Sequence, residues 1–219
     1  LNRLMAESRF DVLHFHTMWT RLLCWQIFRR SRAANAATFH DTTANTPSGK
    51  ILRTVLRTVS KFLLPRLDVV MAPSASPAQN LRARGVPVHL IPPCTDLRRF
   101  HEAPRAPRTP GEPLTILFLG RLEKRKGALT LLQAYARLTK EGIHARLVVA
   151  GAGPEEEKLR RYARENNLHG AVFLGAFAAE TKIALYTDAD IFCAPSPYGE
   201  SFGIVIAEAM AAGSPVAAA

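Results

Sequence analysis

Cysteine is scarce in this sequence: Cys24, Cys94 and Cys193 are the three among 219 residues. Their odd number, wide spacing and lack of a C-x-x-C pair exclude a disulfide framework and a zinc-ribbon type of site. They fit a reducing cytosol. Long apolar runs are missing too. None approaches the roughly 20 residues that a membrane-spanning helix needs, and the visible N-terminus carries no signal-peptide pattern. Aromatic residues are few, at 8%, and fall mostly in expected strands and helices. That leaves little for the base-stacking platforms of a nucleic-acid binder, and no recognisable reading helix takes their place. There is no repeat and no low-complexity tract.

Acidic charge is short in one half only. Residues 1–110 hold 17 Lys and Arg against 6 Asp and Glu, a net of +11, whereas residues 111–219 hold 12 against 12. A basic half implies an anionic partner, either an acidic lipid surface, a phosphorylated acceptor or nucleic acid. With 47% hydrophobic residues the chain has material for a large core, in one domain or in parts of two. It opens on Leu1 and stops within an expected strand at 216–219, so it reads as a piece of a longer protein.

Apolar strand-like runs alternate with helical periods along the chain. Strands are expected over 10–16, 36–39, 68–72 and 88–91, with helices over 22–31, 51–64 and 77–84. From 96 to 113 the character changes: Pro104, Pro107, Pro110 and Pro113 mark a stiff linker. The alternation then restarts, with strands over 115–119, 145–150, 171–174 and 191–194 and helices over 128–141, 154–166 and 180–187. Such alternation predicts parallel, doubly wound α/β sheets, two Rossmann-like domains that are both partial. The expected division is 1–96, a linker at 97–113, and 114–219. Ligands of such sheets bind at the carboxyl ends of the strands, here in an expected interdomain cleft.

The most informative stretch is 197–215, PYGESFGIVIAEAMAAGSP. Turn formers precede Glu200, and the run from Ile204 to Ala212 reads as a helix stopped by Gly213 and Pro215. A helix starting near 201–203 would aim free N–H groups at an anion such as phosphate. Glu208 follows Glu200 by eight positions, a rotation of about 800° that returns to within about 80° of the starting direction, over about 12 Å. Both carboxylates can border one elongated ligand of nucleotide-sugar length.

The segments FLGRLEKRKG, VVAGAGPEEEKL, VFLGAF and PYGESFGIVIAEAMAAGSPV together resemble the nucleotide-sugar half of the GT-B glycosyltransferases. More narrowly they resemble retaining glycosyltransferase family four, in the neighbourhood of bacterial phosphatidylinositol mannosyltransferases. DVLHFH, ATFHDTT and IPPCTDLRRF carry a looser likeness through the first half, with Pro93-Cys94-Thr95-Asp96 standing where Asn-Gly-Val-Asp is commoner. The resemblance implies a metal-independent, retaining transfer of a hexose from a GDP- or UDP-sugar, with no cofactor. The acceptor would be an anionic lipid or a glycan, met by a cytoplasmic protein peripheral on the inner face of the plasma membrane. It implies Arg121 and Lys126 on the departing diphosphate and Glu200 beside the transferred sugar. Gly120, Phe177, Ser201, Phe202, Gly203 and Ile204 would line the donor site. Glu208 would accept from the ribose hydroxyls, and His40 would meet the sugar.

Each of these positions has a plainer reading. Arg121 to Lys126 reads equally as a solvated basic turn, and Glu200 as an acid favoured by a helix N-terminus. Glu208 has apolar neighbours that imply burial, and a buried Glu needs a partner. His14 and His16 share one strand face, but no carboxylate or Cys completes a metal chelate nearby. His16 fits better at the acceptor cleft. Asp188-Ala189-Asp190 matches the metal motif of a different glycosyltransferase fold, yet it lies between a helix and a strand, where Asp188 is a helix-end residue. Gly151-Ala152-Gly153 precedes three acids, Glu155 to Glu157, and is a wall of the site and not its phosphate cradle. In the helix at 51–64, Ile51, Leu52, Val55, Leu56, Val59, Phe62 and Leu63 recur at threes and fours and are expected to face a core. Lys50, Arg53, Arg57 and Lys61 line the other side. The alternative for this helix is docking on anionic lipid. An inert sugar-nucleotide binder, a basic nucleic-acid binder and a nucleotide-sugar epimerase remain as other readings of the whole.

Overall fold

The computed structural model describes residues 9–18, 22–43, 46–81, 85–105 and 107–219. The chain divides into two compact units. One holds the residues up to Cys94 together with Tyr198–Phe202, the other Thr95–Pro197 and Gly203–Ala219. Both carry parallel sheets flanked by helices, the α/β architecture that the alternation predicts.

In the first unit, strands β1 (Val12–His16), β2 (Ala34–Thr38), β3 (Val69–Ala72) and β4 (His89–Leu90) lie in that order, every neighbouring pair parallel. Helices α1 (Leu22–Phe28), α2 (Pro47–Leu63) and α3 (Ala75–Ala78) connect them. Phe15, Phe28, Phe39, Leu63, Leu64 and Val70 form the core. α2 begins where Thr46 accepts from the Gly49 amide and Pro47 fills the first turn, a capped start with proline where no intrahelical N–H is lost.

The apolar stripe of α2 turns only its Leu56–Leu63 edge to the core. Gly49, Leu56, Ser60 and Leu63 are buried, while Ile51 is 68% exposed, Leu52 49%, Val55 51% and Phe62 67%. At about 100° per residue the buried four are centred roughly 100° around the helix from the apolar stripe. Two of the four are Gly and Ser, small enough to let the helix lie close on the sheet. The basic side is anchored as well: Arg53 Nε donates to Thr43 Oγ1 at 2.9 Å and Arg57 Nε to the Gln79 carbonyl at 3.0 Å. The expected core-facing stripe is therefore buried at Leu56 and Leu63 and exposed at Ile51, Leu52, Val55 and Phe62, and the expected wet basic face is partly tied down.

In the second unit the strand order is β7 (Ala171–Gly175), β6 (Ala145–Ala150), β5 (Leu114–Leu119), β8 (Ile191–Ala194), β9 (Val216–Ala218), all parallel. Its helices are α4 (Arg98–His101), α5 (Ala128–Lys140), α6 (Glu156–Glu165), α7 (Thr181–Thr187) and α8 (Ile204–Ala211). Central strand β5 shows why the sheet is doubly wound. Ile116 and Phe118 enter one core with α5 and α6, while Leu117 and Leu119 enter another with α4, α7 and α8. Alternate side chains point to opposite faces, and both faces are covered.

The Pro-rich stretch 97–113 lies on this second unit. Phe100 of α4 is 9% exposed and meets Tyr186 edge to face at 5.8 Å. The Arg105 guanidinium donates to the Ala189 carbonyl at 2.5 Å and to Ser214 Oγ at 3.3 Å. Asp188 caps the end of α7, and Asp190 Oδ2 accepts from the Thr115 amide at 2.7 Å, fixing the start of β5. Phe100→Ala empties a buried site and should lower unfolding stability by roughly 3 kcal/mol, read as a drop in the urea midpoint of the second unit's transition. An unchanged midpoint would mean that α4 is not part of that core.

Candidate functional site

In a parallel sheet all carboxyl ends share one edge, and loops leaving that edge meet. In the second unit the loops after β5, β6 and β8 are in contact there. Gly127 adopts φ 72°, and a Cβ on it would stand 1.9 Å from the Pro195 carbonyl oxygen. Gly151 adopts φ 138°, and its Cβ would stand 1.9 Å from the Gly120 oxygen. Any side chain at either position would push the loops apart, and left-handed backbone there strains other residues.

On this edge lies the basic loop. Gly120 ends β5, Arg121 is exposed, and Lys124–Lys126 form a 3-10 turn closed by Gly127. Glu123 is bracketed by two guanidinium groups, Arg121 at 3.0 Å and Arg125 at 2.8 Å. Lys126 is half-buried, and Phe177, after β7, packs partly against the α4/α7/α8 core. α8 starts after Gly203, which has φ 82° and whose carbonyl accepts from the Ile206 amide at 2.8 Å; Ile204 is its exposed first residue. No acid occupies the first turn of α8, so its amide end is electropositive.

Glu208, about one turn into α8, is 5% exposed. Lys182 Nζ lies 2.6 Å from its Oε1 and 2.5 Å from its Oε2, and Tyr186 donates to Oε2 at 3.0 Å. Burial, then the neighbouring Glu208 charge, push the Tyr186 hydroxyl far above its ordinary pKa, so the phenol stays a donor. These two partners answer the requirement that burial of Glu208 raises. Neither Lys182 nor Tyr186 is marked by sequence spacing: they stand 26 and 22 positions from Glu208, on another helix.

The first unit gathers three histidines at the carboxyl ends of β1 and β2. His16 Nδ1 lies 2.9 Å from His40 Nε2, and the rings are nearly parallel, at 13°, with centroids 5.2 Å apart, edge to edge. The His14 ring is 4.4 Å from that of His16, and its Nε2 is 2.8 Å from Thr38 Oγ1. Burial, then His16, hold the pKa of His40 below the ordinary value, with Asp41 opposing. Burial raises that of Asp41, opposed by His40. Asn80, 1% exposed, donates to the Asp41 carbonyl at 2.8 Å and fixes this loop. Glu200, Ser201 and Phe202 belong to the first unit by their contacts, the Ser74 hydroxyl donating to the Ser201 carbonyl. Glu200 and Ser201 are half-buried and Phe202 is exposed. Thus Gly120, Arg121, Lys126, Phe177, Gly203, Ile204 and Glu208 lie in the second unit, and His40, Glu200, Ser201 and Phe202 group with the first.

Comparison with known proteins bears on this geometry. Residues 100–219 match the family described as glycosyl transferases group 1, and residues 1–99 match glycosyltransferase family 4. The phosphatidyl-myo-inositol mannosyltransferase of Mycolicibacterium smegmatis is 35% identical over 216 residues, 98% of this chain and 54% of the relative. The chain thus spans about half the length of the curated relatives it matches. Among solved structures, sucrose-phosphate synthase from Thermosynechococcus elongatus aligns with a TM-score of 0.79 at 24% identity, covering 99% of this chain and 57% of that one. Anabaena HepE in complex with UDP and glucose aligns at 0.75 and 20%, covering 95% and 59%. At these identities the structural likeness speaks for the fold.

Lys182→Met strips Glu208 of its cation and should cost about 3 kcal/mol, because a buried charge is then unpaired. The double variant Lys182→Met with Glu208→Leu should recover much of that loss in thermal melting. A single variant as stable as wild type would show that the pair carries no strong coupling.

Proposed function

The chain belongs to the group 1 glycosyl transferases, of GT-B fold and family-4 type, and on that footing we propose that the whole protein moves a hexose from a GDP- or UDP-sugar to an anionic lipid or glycan. The observation that supports this reading is the carboxyl edge of the second unit, where the cationic loop after β5 contacts the loop after β8; α8, which follows β8, begins with no acid in its first turn and carries the braced, buried Glu208. Nucleotide diphosphate leaves with growing negative charge. Arg121 and Lys126 stabilise it as fixed cations, which makes a metal unnecessary in this reading. The amides of Gly203 and Ile204 receive phosphate oxygen. Glu208 takes the ribose hydroxyls: Lys182 occupies one acceptor position of Oε1, leaving another.

Glu200 accepts from the hexose hydroxyls and balances the oxocarbenium-like charge, and His40 meets the same sugar. The bond from the anomeric carbon to the diphosphate oxygen breaks, and the acceptor oxygen bonds that carbon from the same face. The acceptor's proton goes to the departing diphosphate. This front-face course retains configuration without a protein nucleophile. Mannose as the hexose is supported by the likeness to the phosphatidyl-myo-inositol mannosyltransferase of Mycolicibacterium smegmatis.

Titration of the whole protein with GDP and UDP should give saturable binding of one of them. Arg121→Met or Lys126→Met should lower kcat for the matching sugar nucleotide by about 10²-fold or more, the scale of one lost transition-state donor. Glu200→Ala should abolish turnover with nucleotide binding retained. Binding without turnover in the wild type would point to an inert sugar-nucleotide binder, and release of nucleotide with no acceptor dependence to an epimerase.

For the acceptor we propose contact with an anionic bilayer through α2. Among the described residues no helix is long and apolar enough to cross a membrane. α2 instead has exposed Ile51, Leu52, Val55 and Phe62 on one side and Lys50 and Lys61 on another, the make-up of a helix that lies in the headgroup plane. The net +11 of residues 1–110 adds attraction to acidic lipid. The whole protein should float with vesicles containing phosphatidylserine, and Ile51→Ser with Phe62→Ser should weaken this roughly ten-fold. Equal flotation with neutral vesicles would remove the anionic partner.

A further inference from the structure

A separation of 2.9 Å between His16 Nδ1 and His40 Nε2 has a chemical consequence. Two imidazole nitrogens at hydrogen-bond distance hold one hydrogen between them, since two bare lone pairs repel and two N–H groups repel. While both rings are neutral, the outer nitrogens, Nε2 of His16 and Nδ1 of His40, therefore take opposite roles: one donates and the other accepts. We propose that His16 is a positioning residue for His40: the shared hydrogen locks the tautomer of His40 to that of His16, so that Nδ1 of His40 offers a ligand the role opposite to that of His16 Nε2.

The surroundings restrict both rings. The two rings are nearly coplanar, at 13°, as an in-plane hydrogen bond requires. His14 presses on His16 from the same strand face, its own Nε2 held by Thr38 Oγ1. The backbone after His40 is pinned through Asn80, and Thr43, further along this loop, is held by Arg53. The titratable or charged groups around the pair are thus His14 on β1, Asp41 in the loop after β2 and, at the far end of that loop, Arg53 of α2. Burial together with His16 lowers the pKa of His40, which keeps its ring neutral at neutral pH and preserves the shared hydrogen. When both rings carry a proton, N–H faces N–H and the contact is lost. Activity that depends on the fixed tautomer then falls on the acid side.

The link to turnover rests on the reading that His40 meets the transferred hexose; the tautomer lock itself does not. Long-range nitrogen–proton correlation spectra of the whole protein, labelled with nitrogen-15 histidine at pH 7.5, resolve each tautomer, and His40→Asn assigns the signal. In the wild type His16 and His40 are expected to share one tautomer, both protonated on Nε2 or both on Nδ1. In His16→Phe, which keeps a flat ring and removes its nitrogens, the tautomer ratio of His40 is expected to shift. In His16→Asn, whose amide can donate or accept near the Nδ1 position, the ratio should return toward that of the wild type. With GDP-mannose or UDP-glucose as the probe, hydrolysis kcat should fall about five- to ten-fold in His16→Phe, the worth of one neutral hydrogen bond, and recover in His16→Asn. Opposite tautomers on the two rings in the wild type, or an unaltered His40 ratio in His16→Phe, overturns the proposal. Should His16→Phe fail to fold, the wild-type and His16→Asn spectra decide it. Absence of turnover in the wild type with the tautomer shift intact would count against hexose transfer and not against the pair.

Discussion

The burial of Glu208 is the constraint around which the second unit is arranged. Taking a carboxylate out of water costs several kcal/mol, and the cost is offset only where donors surround it. Here the donors are Lys182 and Tyr186, both on α7. Tyr186 in turn packs edge to face on Phe192 of β8 at 5.4 Å and on Phe100 of α4 at 5.8 Å. One charge thus ties α8 to α7, to the sheet and to the segment that enters the unit. Position follows from this. The amide end of α8 is held at the carboxyl edge because the middle of the helix cannot move without breaking an ion pair in a dry core.

The close approach of the edge loops depends on a different kind of constraint, steric and not electrostatic. Gly127 against Pro195 and Gly151 against Gly120 leave no room for a Cβ, so the loop after β5 is clamped on both sides. A clamped loop can present cations at fixed points, which matters more for a developing charge than the number of cations present.

Much of the layered architecture was readable because buried parallel strands appear as short apolar runs such as LTILFL, and the helices between them keep a 3.6 period. α2 shows the limit of that reading. Its periodicity correctly reveals a stripe, but amphipathicity does not say what the stripe faces. Gly49 and Ser60 carry little hydrophobic signal and yet are buried, while Ile51 and Phe62 carry much and are exposed. α4 was hidden inside a Pro-rich stretch whose composition suggested only a linker, since one aromatic, Phe100, decides where it packs. Within the candidate site, Arg121 and Lys126 were singled out by family resemblance and not by spacing, while the burial of Glu208 was readable from its apolar neighbours. Lys182, Tyr186 and the His16–His40 contact were not legible. They depend on which helix crosses which strand, and spacing along the chain does not encode that.

Charge pairing separates the two units more sharply than net charge does. In the second unit cations are answered by carboxylates: Arg121 and Arg125 by Glu123, Lys158 by Glu155, Arg160 by Glu156, Lys182 by Glu208. In the first, Arg53, Arg57 and Arg66 bond neutral oxygens of Thr43, Gln79 and Phe62, so their charge remains uncompensated and its field reaches outward. The exposed Arg121–Glu123 pair belongs to the class worth about 0–1 kcal/mol. A diphosphate carrying more than one negative charge can displace Glu123 from Arg121 at small cost, and Glu123 keeps Arg125 when it does. The pair therefore holds Arg121 in a cheaply broken contact, available to the diphosphate of the proposed donor. The Lys182–Glu208 pair, buried and tightly held, is the opposite case. Exposure decides which ion pair is a reserve and which is a brace.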